Sequence, residues 1–140
     1  MATVGKARSN GKLAESQSLL LKAAIDGDSD AVDCIATIPF DAWLQENEGV
    51  ARRIIDLRNA GVRPEISSVT QADKKTSDRA YELALIREGT CNPKGRAEEI
   101  CKAYQAREIV ALGNALASGD ITPADCFNRV NELAGDDPQR

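Results

Sequence analysis

The feature that most constrains the fold is a stretch of 25 residues, 94–118, that contains no proline. As a single α-helix it would extend about 37 Å, at about 1.5 Å per residue. Its apolar residues fall on more than one line along such a helix, which predicts two packing partners. Gly119 then signals a turn, and Thr122 and Pro123 supply a cap and a first helical residue for a second helix. This order of signals predicts an antiparallel helical hairpin over residues 94–134. The apolar face of its second helix is predicted to consist of Phe127, Val130, Leu133 and Ala134.

Residues 13–88 contain shorter apolar stretches with a helical period, separated by glycine and proline. Gly27 ends the first stretch, Pro39 the second and Gly61 a later one. Residues 71–77 predict a polar loop, and Asp78 is a candidate cap for the helix that follows it. No stretch alternates as a half-buried strand would, and aromatic residues, which are typical of β-rich domains, make up only 4% of the chain. We therefore predict an all-α protein, with a compact head of about five short helices followed by the hairpin.

The composition argues against catalysis. The chain contains no histidine, so the commonest general base and metal ligand are missing. It also has no P-loop, GxGxxG, HExxH or GxSxG motif. Asp26, Asp28 and Asp30 have the spacing that begins a calcium loop, but Ala31 and Thr37 stand where that loop needs glycine and glutamate. We predict no catalytic residue, no cofactor, no metal site and no enzymatic activity.

The four cysteines form no CxxC pair, and the first twelve residues lack the apolar core of a signal peptide. Apolar stretches are also too short to span a membrane. These features predict a cytoplasmic protein with reduced thiols and no membrane partner.

Charge is unevenly distributed. Residues 1–12 carry Lys6, Arg8 and Lys12 without an acidic residue, whereas the whole chain has a net charge of −4. We predict a flexible basic tail over residues 1–12, and a tail or linker over residues 135–140. The acidic body predicts weak or absent nucleic-acid binding, because phosphate contacts need a basic face. A small DNA-binding protein that uses the basic arm remains one alternative.

A lone hairpin can bury one face between its own helices but has little to cover the other. This predicts self-association, as a dimer or a higher oligomer. Some of the candidate interface residues must instead face the second helix of the hairpin, and the sequence pattern does not show which ones do. The candidates are Ile100, Tyr104, Ala106, Ile109, Val110 and Leu116.

The order of these segments resembles the N-terminal domain of bacterial and phage replicative helicases of the DnaB type. That family opens with an acidic residue and a Leu-rich helix, as residues 14–21 (AESQSLLL) do here. A short helix with a Phe-containing segment follows, matched by residues 38–43 (IPFDAW), and then a helix that ends in glycine and proline, matched by residues 53–64 (RIIDLRNAGVRP).

The resemblance continues into the hairpin. Residues 79–83 (RAYEL), 90–93 (TCNP) and 104–110 (YQAREIV) match an Ala-Tyr-Leu-like helix, a break and a long helix with repeated Arg and Ile or Leu. The match covers about residues 13–134. Two departures stand out, because the segment between Ile66 and Asp78 is shortened and no Walker lysine of a motor domain follows.

The resemblance implies assembly rather than ATP or DNA chemistry. In that family the head and hairpin form the ring's N-terminal collar, where primase docks. We therefore expect a non-catalytic oligomerisation and partner-docking domain in DNA replication, with a helicase, primase or loader as partner. The alternative is a phage or plasmid protein that mimics the collar to regulate a host helicase.

Overall fold

A computed structural model describes the backbone of residues 2–87 and 92–135, and the side chains of residues 11–87 and 92–133. All regular structure in these ranges is helical, which confirms the all-α prediction. The helices are α1 (Ala2–Ile25), α2 (Ser29–Ala36), α3 (Gln45–Asn59), α4 (Ile66–Val69), α5 (Lys74–Ala84), α6 (Pro93–Ala117) and α7 (Pro123–Gly135), and a 3₁₀ turn spans Phe40–Ala42.

The chain divides into two compact units, Met1–Cys101 and Lys102–Arg140, and the division falls inside α6. In unit 1, α1 contacts α2, α3 and α5, and α3 also contacts α2, α4 and α5. The fully buried apolar side chains come from each of these elements and from the first part of α6. They are Leu20, Leu21, Ile35, Val50, Ile54, Val69, Leu83 and Ile100.

Polar side chains also lie in this core, and they bind one another. The Gln17 amide donates to the carbonyl of Ala42 at 3.1 Å and accepts from the Leu44 N–H at 3.0 Å. Asn47 Nδ2 donates to Gln17 Oε1 at 2.8 Å, and Asn47 Oδ1 accepts from Arg79 Nε at 2.9 Å. This network joins α1, α3 and α5 by groups that each need a partner when buried.

Two glycines make the sharp corners of unit 1. Gly27 after α1 has φ +100° and Gly61 after α3 has φ +75°, which are left-handed conformations that favour glycine. Asp28 then caps α2, because its carboxylate accepts the backbone N–H of Asp30 at 3.0 Å and of Ala31 at 3.3 Å.

The first turns of α6 are tied to α1 within unit 1. The Ser16 hydroxyl donates to the Glu99 carboxylate and accepts from Arg96 Nη1 at 3.2 Å. Ser16 is 1% exposed, so this contact lies inside the unit.

Unit 2 contains the rest of α6 and all of α7. Gly119, with φ +78°, makes the turn after α6, and the Thr122 hydroxyl accepts the N–H of Asp125 at 3.1 Å at the start of α7. Gln105 Nε2 donates to the carbonyl of Leu133 at 3.1 Å. Because this bond joins the middle of α6 to the end of α7 across a short turn, the two helices run antiparallel.

The structure differs from the sequence predictions at two helix starts. Helix α1 begins at Ala2, inside the predicted flexible tail over residues 1–12, which contain no proline to prevent a helix. Helix α5 begins after Asp73, although a loop was predicted up to residue 77. The Asp73 side chain accepts the N–H of Thr76 at 3.2 Å, so Asp73 rather than Asp78 is the cap.

The two predicted tails, residues 1–12 and 135–140, lie partly outside the residues that the structure describes. Side chains of Lys6 and Arg8 in the basic tail lie outside the described residues, as do residues 136–140 of the predicted tail or linker.

Candidate functional site

The hairpin of unit 2 has no interior of its own. Across residues 102–133, where side chains are described, every residue is at least partly exposed. Most half-buried side chains lie on one side of each helix, whereas Ala103, also half-buried, lies on another side of α6. On α6 they are Tyr104, Gln105, Glu108, Leu112 and Ala115, and on α7 they are Cys126, Val130 and Leu133. These spacings of three and four residues mark the faces that the two helices turn toward each other.

A different side of α6 carries apolar residues that face solvent. Ile109 is 46% exposed, Val110 62% and Leu116 38%. Ala106 and Gly113 are also exposed and lie on the same side at helical spacing. We call these five residues the outer face of α6.

Two of the five residues on the outer face of α6 are small. Ala106 and Gly113 carry little or no side chain, and the structure leaves open space within 4 Å of a Cβ placed on Gly113. A second helix can approach closely along such a line, because no large side chain holds it away.

The six residues that the sequence proposed for an interface differ in exposure and in the side of α6 on which they lie. Ala106, Ile109, Val110 and Leu116 lie on the outer face of α6. Ile100 does not, because it is 0% exposed in the core of unit 1, where no partner can reach it.

Tyr104 is the remaining candidate, and it does not lie on the outer face either. Its ring is half-buried, and the guanidinium carbon of Arg107 lies 5.5 Å from the ring centroid. This distance allows a cation–π contact within the helix. Tyr104 lies two residues before Ala106 and seven before Ala111, so a helix of 3.6 residues per turn places it on the side of α6 away from the outer face.

Phe127 is the site residue that sequence reasoning missed. It was expected on the packing face of α7 with Val130 and Leu133, but it is 67% exposed. The spacing could not show this, since Cys126 and Phe127 stand four and three residues before Val130 and both fit one helical face. Phe127 adds the largest exposed apolar side chain of the hairpin.

Among the described side chains, no group of three or more His, Cys, Asp or Glu residues is placed to hold a metal ion. Burial raises the pKa of the Cys101 thiol. Burial also raises the pKa of Cys34, with a further contribution from the carboxylate of Asp30. Both thiols are thereby held in the less nucleophilic protonated form.

Among the described helices, none combines the length and apolar character that crossing a membrane requires. No family model, curated protein or solved structure matches this chain.

Proposed function

We propose that this protein is a non-catalytic assembly and docking module that works through its helical hairpin. One observation carries the proposal: the hairpin has no buried side chain among residues 102–133, yet it presents four large apolar side chains to solvent. Exposed apolar surface of this kind marks an interaction site in a folded protein.

The outer face of α6 supports self-association in particular. In a two-fold dimer each residue of the face is used twice, so Val110 and its neighbours meet the same face of the other copy. Full burial of an aliphatic or Phe side chain contributes about 1.5–3 kcal/mol. Several such side chains from each copy together offset an association cost of about 4–15 kcal/mol.

The proposed setting is DNA replication, and it rests on the resemblance to the collar domain of DnaB-type helicases. In this setting the hairpin contacts a second copy, and the assembled module docks a helicase, primase or loader. The same surface also suits the alternative of a phage or plasmid protein that occupies a host helicase collar.

Solution mass tests self-association. We expect light scattering to give a dimer or larger species for the unaltered chain, and a monomer for Val110→Glu, because a charge buried at the interface lacks a partner. Ala111→Glu is the matched control: Ala111 is exposed and adjacent in sequence but lies on another side of α6. It is expected to keep the mass of the unaltered chain.

A monomer at high micromolar concentration of the unaltered chain contradicts the proposal. Equal effects of the two glutamate substitutions also contradict it, since they would show a general charge effect. The fluorescence of Trp43, the only tryptophan, verifies that both variants keep a folded unit 1.

Mixing experiments with purified proteins test the setting. Binding to a replicative helicase or primase supports the replication role. Binding to a helicase without sequence similarity to this chain favours the collar mimic, and self-association without any such binding counts against it.

A further inference from the structure

Unit 1 contains a groove of about 480 Å³ that is lined by its own residues. It lies between the corner that joins α1 to α2 and the segment that follows α3. Its lining residues are Ala24, Gly27, Ser29, Val32, Asp33, Arg58, Gly61, Val62, Arg63 and Pro64.

The floor of the groove is apolar. Ala24 and Val32 are buried, as is Pro64, and they supply its closed side. Val62 stands beside them with 46% of its surface exposed, which is one of the larger exposed aliphatic surfaces of unit 1. An aliphatic group placed here would remove Val62 from water.

Arg63 crosses the groove at Gly27. Its Nη2 donates to the Gly27 carbonyl at 3.4 Å, and a Cβ on Gly27 would lie only 2.7 Å from that nitrogen. Among the described residues its guanidinium pairs with no carboxylate. A guanidinium has five N–H donors, so Arg63 keeps unused donors beside an apolar floor.

Arg58 adds a second cation. Its Nε donates to Asp33 Oδ1 at 3.2 Å in an exposed pair, while its terminal nitrogens make no other bond among the described residues. Asp33 is therefore already engaged. Asp28 is occupied as the cap of α2, and Asp26 pairs with Lys22 at 2.9 Å.

We propose that this groove docks an acidic peptide segment of a partner protein, with its carboxylate on Arg63 and Arg58 and an adjacent aliphatic side chain on Val62. Guanidinium groups bind carboxylates through paired N–H donors, and the lining holds two arginines against one carboxylate, Asp33, which Arg58 already binds. None of the groove's lining residues belongs to the outer face of α6, so the proposal does not depend on self-association through that face.

The form of the groove favours a chain segment over a small enclosed ligand. The residues along its rim, Ser29, Asp33, Arg58, Gly61, Val62 and Arg63, are all exposed. An open cleft of this kind covers one side of an extended peptide and leaves its ends free to continue.

Titration by NMR of the full chain tests the proposal. The probe is the peptide acetyl-Leu-Asp-Asp-Leu-amide, and its matched control is acetyl-Leu-Asn-Asn-Leu-amide, which keeps the shape without the charge. We expect the acidic peptide to shift the methyl resonances of Val32 and Val62 and the amide of Gly61. The control peptide is expected to bind about tenfold more weakly or not at all.

Two substitutions locate the binding. Arg63→Gln is expected to weaken the acidic peptide about tenfold, and Val62→Asp to abolish binding through like-charge repulsion. Arg87→Gln, at an exposed arginine outside the groove, removes the same charge and should leave the affinity unchanged. Arg63 and Val62 are both exposed, so the fold is expected to survive, as Trp43 fluorescence will report.

Four results would overturn the proposal: no shifts at millimolar peptide, shifts spread over the whole surface, equal binding of the Asn peptide, or unchanged affinity in Arg63→Gln. If acetate alone produced the same shifts, the groove would be a simple anion site, and the proposed peptide docking would be wrong. Shifts of the groove resonances with protein concentration alone would show that a second copy fills the groove.

Discussion

At the scale of single residues, the hydrogen bonds of Gln17 fix how α1 packs against the segment that leads into α3. Its amide is 0% exposed and binds three groups, the Ala42 carbonyl, the Leu44 N–H and the Asn47 side chain. Apolar contacts alone tolerate small shifts between helices, whereas these bonds hold only in one arrangement. Gln17 thereby fixes the segment after the 3₁₀ turn against α1.

Replacing Gln17 by leucine is expected to cost about 3 kcal/mol of unfolding free energy, because up to three buried polar groups lose a partner. Urea unfolding followed by the fluorescence of Trp43 measures the change. Gln71→Leu is the control, since Gln71 is exposed and the same substitution there should change stability by less than about 0.5 kcal/mol. A loss below about 1 kcal/mol for Gln17→Leu would show that the network contributes little.

At the scale of elements, the contact between α3 and α5 depends on a missing side chain. Gly49 lies in the second turn of α3, and a Cβ there would lie 2.4 Å from Thr76 Oγ1. Thr76 is itself buried, at 7% exposure. Glycine inside a helix usually costs about 1 kcal/mol relative to alanine, so its presence at this point is explained by the close approach of the two helices.

The same substitution should therefore have opposite effects at two glycines. Gly49→Ala is expected to destabilise unit 1 by about 1–3 kcal/mol through overpacking. Gly11→Ala in α1, where nothing lies within 4 Å of the added Cβ, is expected to stabilise by about 0.5–1 kcal/mol. Thermal and urea unfolding compare the two variants.

The double variant Gly49→Ala with Thr76→Ala distinguishes the mechanism. Removal of the Thr76 hydroxyl should recover part of the loss, as a coupling between two touching residues. Strict additivity of the two substitutions would place the cause of the loss elsewhere.

The sequence predicted elements better than it predicted their ends. Glycine and proline signals at Gly27, Pro39 and Gly61 correctly separated the helices of the head, because these residues act through local backbone geometry. The start of α5 was placed too late, since Asp73 and Asp78 both look like caps in sequence. The Thr76 hydroxyl and N–H select Asp73, and they hold the pKa of its carboxyl below the usual range.

The candidate site was predictable only in part, for a physical reason. Four of six proposed interface residues lie on the outer face of α6, because helical spacing alone places Ala106, Ile109 and Val110 together. The burial of Ile100 depends on how α1 packs against the first turns of α6, through Ser16 and its partners. Contacts between residues that lie eighty or more positions apart in the chain are not visible in local periodicity.

At the scale of the whole molecule, the two units differ in how they are stabilised. Unit 1 has a core of fully buried apolar side chains and an internal polar network. The hairpin of unit 2 has neither among its described residues, and isolated pairs of short helices are marginal in water. Under the proposed assembly, the missing part of its stabilisation comes from a second copy.

Hydrogen exchange of the full chain tests this difference. If the amides of α7 exchange through the dissociated monomer, their rate follows the monomer fraction, which falls with the square root of total concentration when dimer predominates. A hundredfold increase in concentration should then slow exchange in α7 about tenfold. Amides of Val50 and Ile54 in α3 should not respond, because their protection comes from the core of unit 1.

The Val110→Glu variant separates assembly from intrinsic stability. In this variant exchange in α7 is expected to be fast and independent of concentration, while α3 remains protected. Slow exchange in α7 of the unaltered chain that does not change with concentration would contradict the proposal, because the hairpin would then be stable without a partner. The exposed Ile109, Val110, Leu116 and Phe127 would in that case be surface residues with no part in holding the hairpin together.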